Sequence, residues 1–192
     1  MLSQAVPLKI MIAQEDEALA RQAAHDPQAF SELYQRYFES VYRFHLARTG
    51  EVAEAQDLTS QTWMSALEGI GGYRGSGSFA AWLFGIARRK QAQLYRLHRE
   101  SLDLEQAESL ADSGGSPEIH AGQRLELAQV SRFLKRLSLE RADAVVLCLY
   151  AGLNASEAAQ VMGKSEAAVK MLLLRGVRDL RGYLSSSTRE EK

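Results

Sequence analysis

The stretch NASEAAQVMGKSEAAVKMLLLRG, residues 154–176, predicts two helices joined by a tight turn. Asn154 with Glu157 three residues later is the pattern of a capping box, which begins a helix. Gly163 suits the end of that helix, and Ser165 is placed to cap the next one. This arrangement is typical of a helix-turn-helix, in which a short helix supports a second helix that enters a DNA groove. Two helices that only pack together as a hairpin would carry the same pattern, so both interpretations stay open at this point.

The second helix of this pair has an apolar row and an outer face. The row expected to face inward consists of Val169, Leu172, Leu173, Gly176, Val177, Leu180 and Leu184. The outer face is expected to carry Ser165, Glu166, Lys170, Met171 and Leu174. Lys170 could donate to a phosphate or a guanine edge, and Met171 could touch a thymine methyl group. Lys164 and Arg175 lie close by in sequence, with Arg175 placed for a phosphate. A solvated face is the alternative, but it has little use for exposed Met171 and Leu174.

The charges of the chain are strongly segregated. The sequence has 192 residues and a formal net charge of −1. Residues 69–99 contain no Asp or Glu but six basic residues: Arg74, Arg88, Arg89, Lys90, Arg96 and Arg99. Residues 100–123 carry six acids and no Lys or Arg, and residues 164–181 carry five basic residues. Because local potential rather than net charge governs binding to a polyanion, the two basic segments are candidates for nucleic-acid contact.

Helical periodicity in most of the chain predicts an all-α fold. Asp26 followed by Pro27 begins a helix, and Gly50 is placed to end it. A second helix is expected over about residues 52–70, and a third begins after Ser78, its N-cap. The residues expected on the apolar faces of these helices are Phe30, Leu33, Tyr34, Tyr37, Phe38, Val41, Leu58, Thr62, Trp63, Ala66, Leu67, Ile70, Phe79, Trp82, Leu83, Ile86, Leu94 and Leu97.

An acidic segment rich in turn formers divides the chain. Residues 100–123 lack periodicity and include the run DSGGSPE, which predicts an extended linker. Helices resume near Arg124, and Ser138 is expected to cap a helix that ends at Gly152. The apolar stripes there contain Leu125, Val130, Phe133, Leu134, Leu137, Val145, Val146, Leu149 and Tyr150. We therefore predict two small helical domains, with an N-terminal extension at 1–14, a domain at 15–99, the linker, a helix-turn-helix domain at 124–185 and a tail at 186–192.

The sequence favours a cytoplasmic protein without catalytic chemistry. No apolar run approaches the ~18 residues of a membrane span. The one cysteine, Cys148, excludes an intrachain disulfide and lies on an apolar stripe, where we expect it to be a core residue. The histidines show no metal-ligand spacing: His25, His45, His98 and His120. We therefore expect no metal, no cofactor and no enzymatic activity.

Residues 73–99, YRGSGSFAAWLFGIARRKQAQLYRLHR, mix aromatic residues, glycines and bases without any acid. A phosphate-binding loop is disfavoured, because the lysine-hydroxyl ending and a preceding strand are both missing. Tyr73 beside Arg74 is placed to stack on an unpaired base, and Ser76 belongs to the same loop. The basic residues that follow suit a nucleic-acid surface better than a solvated helix face, since a solvated face usually carries both signs.

Four segments, in order along the chain, resemble a bacterial RNA polymerase sigma factor of the extracytoplasmic-function type: DPQAFSELYQRYFESVYRF, AEAQDLTSQTW, YRGSGSFAAWLFGIARRK and LKRLSLERADAVVLCLYAGLNASEAAQVMGKSEAAVK. The resemblance covers roughly residues 15–184. It implies that the first domain is similar to sigma region two, which binds the polymerase clamp and opens the minus-ten element. The second domain is then similar to sigma region four, which reads the minus-thirty-five element and contacts the polymerase flap. Core RNA polymerase, promoter DNA and an anti-sigma factor are the implied partners.

The resemblance also implies roles for individual residues. Those implied to face the clamp are Glu54, Asp57 and Gln61. The loop at 73–78 is implied to hold an extruded non-template base, because separated strands expose edges that a duplex hides. The residues implied to lie beside the melted strand are Arg88, Arg89 and Lys90, with Arg96 on the same basic helix.

Three positions depart from the family pattern. Ser60 and Gln61 stand where the family usually has Gln-Glu, and Arg89 stands where it often has Asn. Met171 and Leu172 replace a more usual polar and basic pair, so an altered base preference is expected at both promoter elements. The alternative function is a stand-alone helix-turn-helix regulator that binds duplex DNA as a dimer. That alternative leaves the acid-free segment unexplained, because a duplex reader does not need it.

Overall fold

The structure, a computed structural model, describes residues 15–75, 77–104 and 130–190. For residues 99–104 and 184–190 it describes the backbone alone. The described part is helical and contains no strand, which confirms the predicted all-α class. Its helices are α1 at 15–22, α2 at Pro27–Thr49, α3 at Val52–Gly69, α4 at Phe79–Leu104, α5 at 130–134, α6 at Leu139–Val145, α7 at Ala155–Met162 and α8 at Glu166–Glu190. A 3₁₀ turn at Ile70–Gly72 follows α3, and a π-helical turn at Val146–Tyr150 follows α6. None of these helices combines the length and hydropathy needed to cross a membrane.

We call α1–α4 the first unit and α5–α8 the second unit. The predicted N-terminal extension, Ser76 and the linker beyond Leu104 lie outside the described residues, as do the helix start at Arg124 and the final two residues of the tail. Helices α4 and α8, which border the predicted linker and the predicted tail, are both longer than predicted. Helix α4 continues to Leu104, five residues into the predicted linker, and α8 continues through Glu190 rather than fraying after Leu184.

The helix ends follow most of the predicted signals. Asp26 accepts a backbone hydrogen bond at 2.9 Å at the start of α2, and Gly50 ends α2 in the left-handed region with φ of 79°. The Oγ of Ser78 accepts a backbone hydrogen bond at 3.1 Å at the start of α4. The capping box of Asn154 and Glu157 at the start of α7 is confirmed in both directions, at 2.8 and 2.9 Å.

The turn between α7 and α8 also has its predicted form, whereas one predicted cap is wrong. Gly163 adopts the left-handed conformation with φ of 64°, and Ser165 Oγ accepts a backbone hydrogen bond at 3.2 Å. Ser138 precedes α6 in extended conformation but makes no capping side-chain hydrogen bond. The helix-turn-helix geometry therefore rests on signals that are local in sequence.

Aromatic side chains build the centre of the first unit. Phe44 packs edge-on against Phe84, with ring centroids 5.5 Å apart. Phe79 contacts Tyr37 edge-on at 5.4 Å, and it contacts Trp82 in a tilted arrangement at 5.7 Å. Edge-to-face packing of this kind adds roughly 0.5–1.5 kcal/mol per pair to the gain from burial. These rings hold α2 against α4, and the edge-on pair of Phe30 with Trp63, at 5.9 Å, holds α3 against α2.

The two units share one hydrophobic core, which the sequence did not predict. Helix α7 packs against α4, and the π-helical turn packs against α2. Residues 44–49 of α2 are consequently buried on every side, and Phe84, one position off the predicted stripe, is fully buried. At the end of α2, a β-carbon on Gly50 would lie 2.6 Å from the Oγ of Ser131 in α5, so only glycine permits this approach.

Five residues predicted to be buried are exposed by more than a third: Tyr34, Phe38, Leu67, Leu97 and Leu149. The Tyr34 and Phe38 rings lie at the rim of α2, 5.2 Å apart, with Tyr34 against Trp63. Leu149 lies in the π-helical turn, where the extra residue per turn changes the direction of the side chain. Cys148 was expected in the core and is half-buried, packed against it.

Candidate functional site

The outer face of α8 is exposed over its whole first half. Its five predicted members are all exposed: Ser165, Glu166, Lys170, Met171 and Leu174. Met171 and Leu174 expose 47% and 53% of their surface, so apolar and charged groups lie side by side. The Lys170 Nζ lies 2.6 Å from a carboxylate oxygen of Glu166, one turn earlier on the helix. We call these five residues the α8 face.

Two further cations of the second unit, Lys164 and Arg175, lie in different surroundings. Arg175 is exposed one turn beyond Met171. Lys164 pairs with Glu140 of α6 at 2.7 Å, so it is already engaged at the helix-turn-helix turn. An exposed pair of this kind contributes at most about 1 kcal/mol, and an incoming phosphate can therefore exchange with the carboxylate.

The outer face of α3 is a second exposed surface. Asp57 and Gln61 are exposed on it, together with Ser60, Met64 and Leu67. Met64 exposes 63% of its surface and Leu67 57%, and neither was predicted to be a surface residue of functional interest. We call these five residues the α3 face. The alternation of carboxylate, amide and large apolar groups is typical of a protein-binding surface rather than a solvated helix.

Glu54 lies at the edge of this face. Its carboxylate is 3.8 Å from the Nε2 of His98 on α4, and its side chain is about one third exposed. Glu54 therefore contributes to the contact between α3 and α4 as well as to the surface.

A buried histidine fixes α3 on α2. The His45 Nε2 lies 3.0 Å from the Thr62 Oγ1, and that hydroxyl donates to the Leu58 carbonyl at 2.7 Å. Because the hydroxyl proton is used on Leu58, the hydroxyl accepts from the Nε2–H of a neutral imidazole. Burial lowers the pKa of His45 to about 3, so the ring carries no charge at neutral pH.

The glycine loop, residues 73–78, is folded onto the aromatic core. The Tyr73 hydroxyl donates to the Gly77 carbonyl at 3.0 Å, and its ring centroid lies 5.5 Å from that of Trp82. Tyr73 is half-buried, and burial raises the pKa of its hydroxyl. Arg74 is exposed beside it. Ser76, also predicted to contact DNA, lies outside the described residues.

The basic residues of α4 do not form the single patch that was expected. Arg89 and Lys90 border a shallow groove with Ser65 and Gly69 of α3, and Arg96 is exposed farther along the helix. Arg88, by contrast, points toward the second unit. There its Nε donates to the Asp143 carboxylate at 3.0 Å.

Asp143 is the functional candidate that the sequence analysis missed. It lies on α6, is 4% exposed, and also sits 3.5 Å from a guanidinium nitrogen of Arg48 on α2. Tyr95 covers Arg48, with the guanidinium 5.7 Å from the ring centre. Only an unusual acid in the apolar pattern of α6 could have indicated Asp143, since its partners are remote in sequence.

A cleft of about 870 Å³ lies between the two units, and we call it the interunit cleft. Side chains of both units line it, among them Arg88, Arg89 and Tyr95 from α4 and Leu139 and Asp143 from α6. Among the side chains that the structure describes, no cluster of three or more His, Cys, Asp or Glu residues could hold a metal ion.

Two family models match the chain, one on each unit. The model described as Sigma-70 region 2 matches residues 33–100, and the model described as Sigma-70, region 4 matches residues 127–180. The chain is similar to the ECF RNA polymerase sigma factor BldN of Streptomyces coelicolor, with 36% identity over 90% of this chain and 67% of that protein. It is similar to the RNA polymerase sigma factor NccH of Alcaligenes xylosoxydans xylosoxydans, with 33% identity over 90% of this chain and 96% of that protein.

Solved structures of the same type share the fold. The structure of CnrH in complex with the cytosolic domain of CnrY superposes with a TM-score of 0.71 and 26% identity, over 89% of this chain and 97% of that one. The sigma factor RpoE of Bartonella quintana, in complex with the anti-sigma factor NepR, gives a TM-score of 0.66 at 21% identity, over 81% and 96% of the two chains.

Proposed function

Because this chain belongs to the extracytoplasmic-function sigma factors of the sigma-70 family, we propose that the α3 face, the glycine loop with α4, and the α8 face divide its work. It is an alternative sigma factor, which binds core RNA polymerase and directs promoter recognition, melting and transcription initiation. The observation that carries this function is the match of sigma regions 2 and 4, in that order, to the two helical units of one chain. Sigma factors of this kind are regulatory proteins, and the role assigned here involves no catalysis.

The α3 face is the proposed contact with the polymerase clamp. Asp57 and Gln61 supply polar groups at its centre, and Glu54 lies at its edge. Met64 and Leu67 surround them with exposed apolar surface, which a protein partner would remove from water. At about 25 cal/mol per Å² of apolar area, two such side chains supply a useful part of the binding free energy.

The glycine loop and α4 are the proposed contacts with the melted minus-ten strand. Tyr73, Arg74 and Ser76 would receive an extruded base, with stacking on an aromatic ring worth roughly 1–3 kcal/mol. Arg88, Arg89, Lys90 and Arg96 would follow the phosphates of the same strand. The absence of acidic residues from 69–99 supports this role, because a carboxylate there would repel the strand.

The α8 face is the proposed reader of the minus-thirty-five element. Lys170 is placed to donate to a phosphate or guanine edge, and Met171 to touch a thymine methyl group. Ser165 and Glu166 lie in the first turn, which enters the groove in helix-turn-helix proteins. Lys164 and Arg175 would contact phosphates on either side.

The partners and compartment follow from the family. RpoE was solved with an anti-sigma factor, and CnrH with the cytosolic domain of CnrY. We infer that an anti-sigma factor also holds this chain inactive, and that the chain acts in the cytoplasm, where polymerase and promoter DNA are found.

The test combines the purified chain with core RNA polymerase from its host. We expect the two to co-elute in gel filtration, whereas the chain alone binds duplex DNA weakly. Transcription of fragmented host genomic DNA, followed by sequencing of the RNA 5′ ends, should yield a few starts that share one upstream motif. Core polymerase without the chain is the control. Absence of co-elution, or the same starts without the chain, would contradict the function.

A further inference from the structure

The contact between the two units includes an ion triad around a buried carboxylate. Asp143 of the second unit lies between Arg48 and Arg88, both of the first unit, at 3.5 and 3.0 Å. A buried carboxylate is costly unless it is paired, and removing one partner of such a group typically costs several kcal/mol. Because both of these cations lie across the interface, Asp143 favours the arrangement in which the units touch.

This contact uses a residue that is proposed for promoter binding. Arg88 is one of the cations proposed to lie beside the melted minus-ten strand. While its Nε donates to Asp143, with the side chain only 38% exposed, its guanidinium is turned into the interunit cleft. A carboxylate on the same spot also repels an incoming phosphate.

The second unit also contacts one end of the glycine loop. Gln160 of α7 lies so close to Gly77 that a β-carbon on Gly77 would overlap the amide group. Gly77 has φ of 102°, and its carbonyl accepts the hydrogen bond from Tyr73. The Gly77 end of the loop therefore faces α7, while Arg74 at the other end is exposed.

The packing of the two units leaves both the α3 face and the α8 face exposed. Asp57, Gln61 and Met64 remain exposed, and so do Lys170 and Met171. The packing of the units thus engages Arg88 and the Gly77 end of the glycine loop, and leaves the proposed polymerase and duplex faces accessible.

We infer that Asp143 is an autoinhibitory lock: in the free protein it holds the second unit against Arg88 and the Gly77 end of the glycine loop, so that a single strand reaches these groups, and binds at full affinity, only after the units separate. This inference rests on the proposed function, because it assigns a regulation to the same minus-ten surface.

The lock has a measurable consequence for affinity. When the competent state is a minor population, the apparent dissociation constant equals the intrinsic constant divided by that population. A change that weakens closure tenfold therefore raises the apparent affinity about tenfold for as long as the closed state predominates. Asp143→Asn preserves the shape of the side chain but removes the charge that pairs with both arginines.

The first measurement is fluorescence anisotropy with a labelled random-sequence single strand of about twelve nucleotides, a length within the usual range of such sites. We expect Asp143→Asn to bind this strand about tenfold more tightly than the wild-type chain. The matched control is Asp179→Asn. It removes the same charge from a carboxylate that pairs with Arg141 at 2.7 Å inside the second unit, and its affinity should stay within about twofold of the wild type.

The second measurement reports opening without any DNA. Ser131 is 1% exposed and lies against Gly50 across the interface, so a thiol introduced by Ser131→Cys is alkylated only when the units separate. In a Cys148→Ser background, Asp143→Asn should accelerate this alkylation about tenfold, and Asp179→Asn should not. If Asp143→Asn does not fold, Gln160→Trp replaces it. Gln160 is exposed on its own helix, and a larger side chain there meets the glycine loop directly.

Each outcome has a defined meaning. Unchanged strand affinity and alkylation in a folded Asp143→Asn or Gln160→Trp protein would overturn the lock, as would an equal gain in Asp179→Asn. Faster alkylation without tighter strand binding would show that closure does not cover the minus-ten surface, and would also overturn it. If the wild-type chain forms an active holoenzyme with core polymerase, the sigma function stands whatever these variants do. If it does not, the proposed function itself fails.

Discussion

The α3 face and the α8 face are both exposed helix surfaces that carry one methionine and one leucine. On α3 these are Met64 and Leu67, and on α8 they are Met171 and Leu174. The accompanying charges differ in sign: Asp57 is the central charged group of the α3 face, whereas on α8 exposed cations continue beyond Lys170 toward the C-terminus.

This difference separates two kinds of partner. Exposed apolar groups beside a carboxylate suit a protein surface that supplies cations and apolar cover. The same groups beside several cations suit a polyanion whose grooves also present methyl groups. Charge sign, rather than hydropathy, therefore supports the proposed assignment of polymerase to α3 and of duplex DNA to α8. The following changes should affect one face without the other.

Charge reversal at the centre of the α3 face should have the largest effect. We expect Asp57→Arg to weaken core polymerase binding about 100-fold, or about 2.7 kcal/mol, because it loses an attraction and adds a repulsion. Fluorescence titration of labelled protein with core polymerase measures this. Glu39→Arg, an equal charge change at an exposed position of α2, should have little effect. Duplex DNA binding through α8 should be unchanged, and a loss of both activities would mean that the faces are not independent.

The buried His45, which fixes α3 on α2, predicts the second-largest effect. It should make the free energy of unfolding depend on pH. The pKa of His45 is about 3 in the folded chain and about 6.5 in the unfolded chain. Between these two pH values the unfolded chain binds a proton at His45 and the folded chain does not. The stabilisation is therefore complete above about pH 6.5 and declines as the pH falls toward 3. Between pH 7.5 and pH 5 the free energy of unfolding should fall by about 2 kcal/mol through this group.

Urea denaturation of His45→Gln at both pH values is the measurement. Its pH-dependent loss should be smaller than that of the wild type by that amount, whereas His25→Gln, at an exposed turn, should keep the wild-type loss. An equal loss in all three proteins would show that His45 is protonated in the folded state.

How far the sequence predicts this molecule depends on the distance between the interacting residues. The caps at Asp26, Ser78 and Asn154 are confirmed, because the signals for the ends of a helix lie close in sequence. The inner and outer rows of α8 are confirmed as far as Leu180 for the same reason, and the side chain of Leu184 lies outside the described residues. The prediction that Leu67 and Leu149 are buried was wrong, because one apolar stripe was assumed for each helix. Neither the edge of a bundle nor a π-helical turn is visible in a hydrophobic repeat.

The association of the units could not be predicted in the same way. Asp143 lies 55 positions from Arg88, and no periodicity joins them. Residues 44–49 are buried all round because a remote element covers their outer side, and a single helix does not encode that cover. The charge segregation is visible in the sequence, but only the fold separates Arg88, which is paired, from Arg89, which is exposed.

The smallest of these effects concerns the α8 face. Lys170→Ala should weaken binding to a promoter duplex about tenfold, near 1.4 kcal/mol, because one phosphate or base-edge contact is lost. The effect is modest because Lys170 gives up its Glu166 pair when it binds DNA, although an exposed pair of that kind is weak. Arg132→Ala removes the same charge from an exposed site on α5 and should change duplex affinity by less than about twofold, which separates a contact from a loss of net charge. Core polymerase should bind both variants equally well. If Lys170→Ala instead lost core binding and kept its duplex affinity, the assignment of partners by charge sign would have to be reversed.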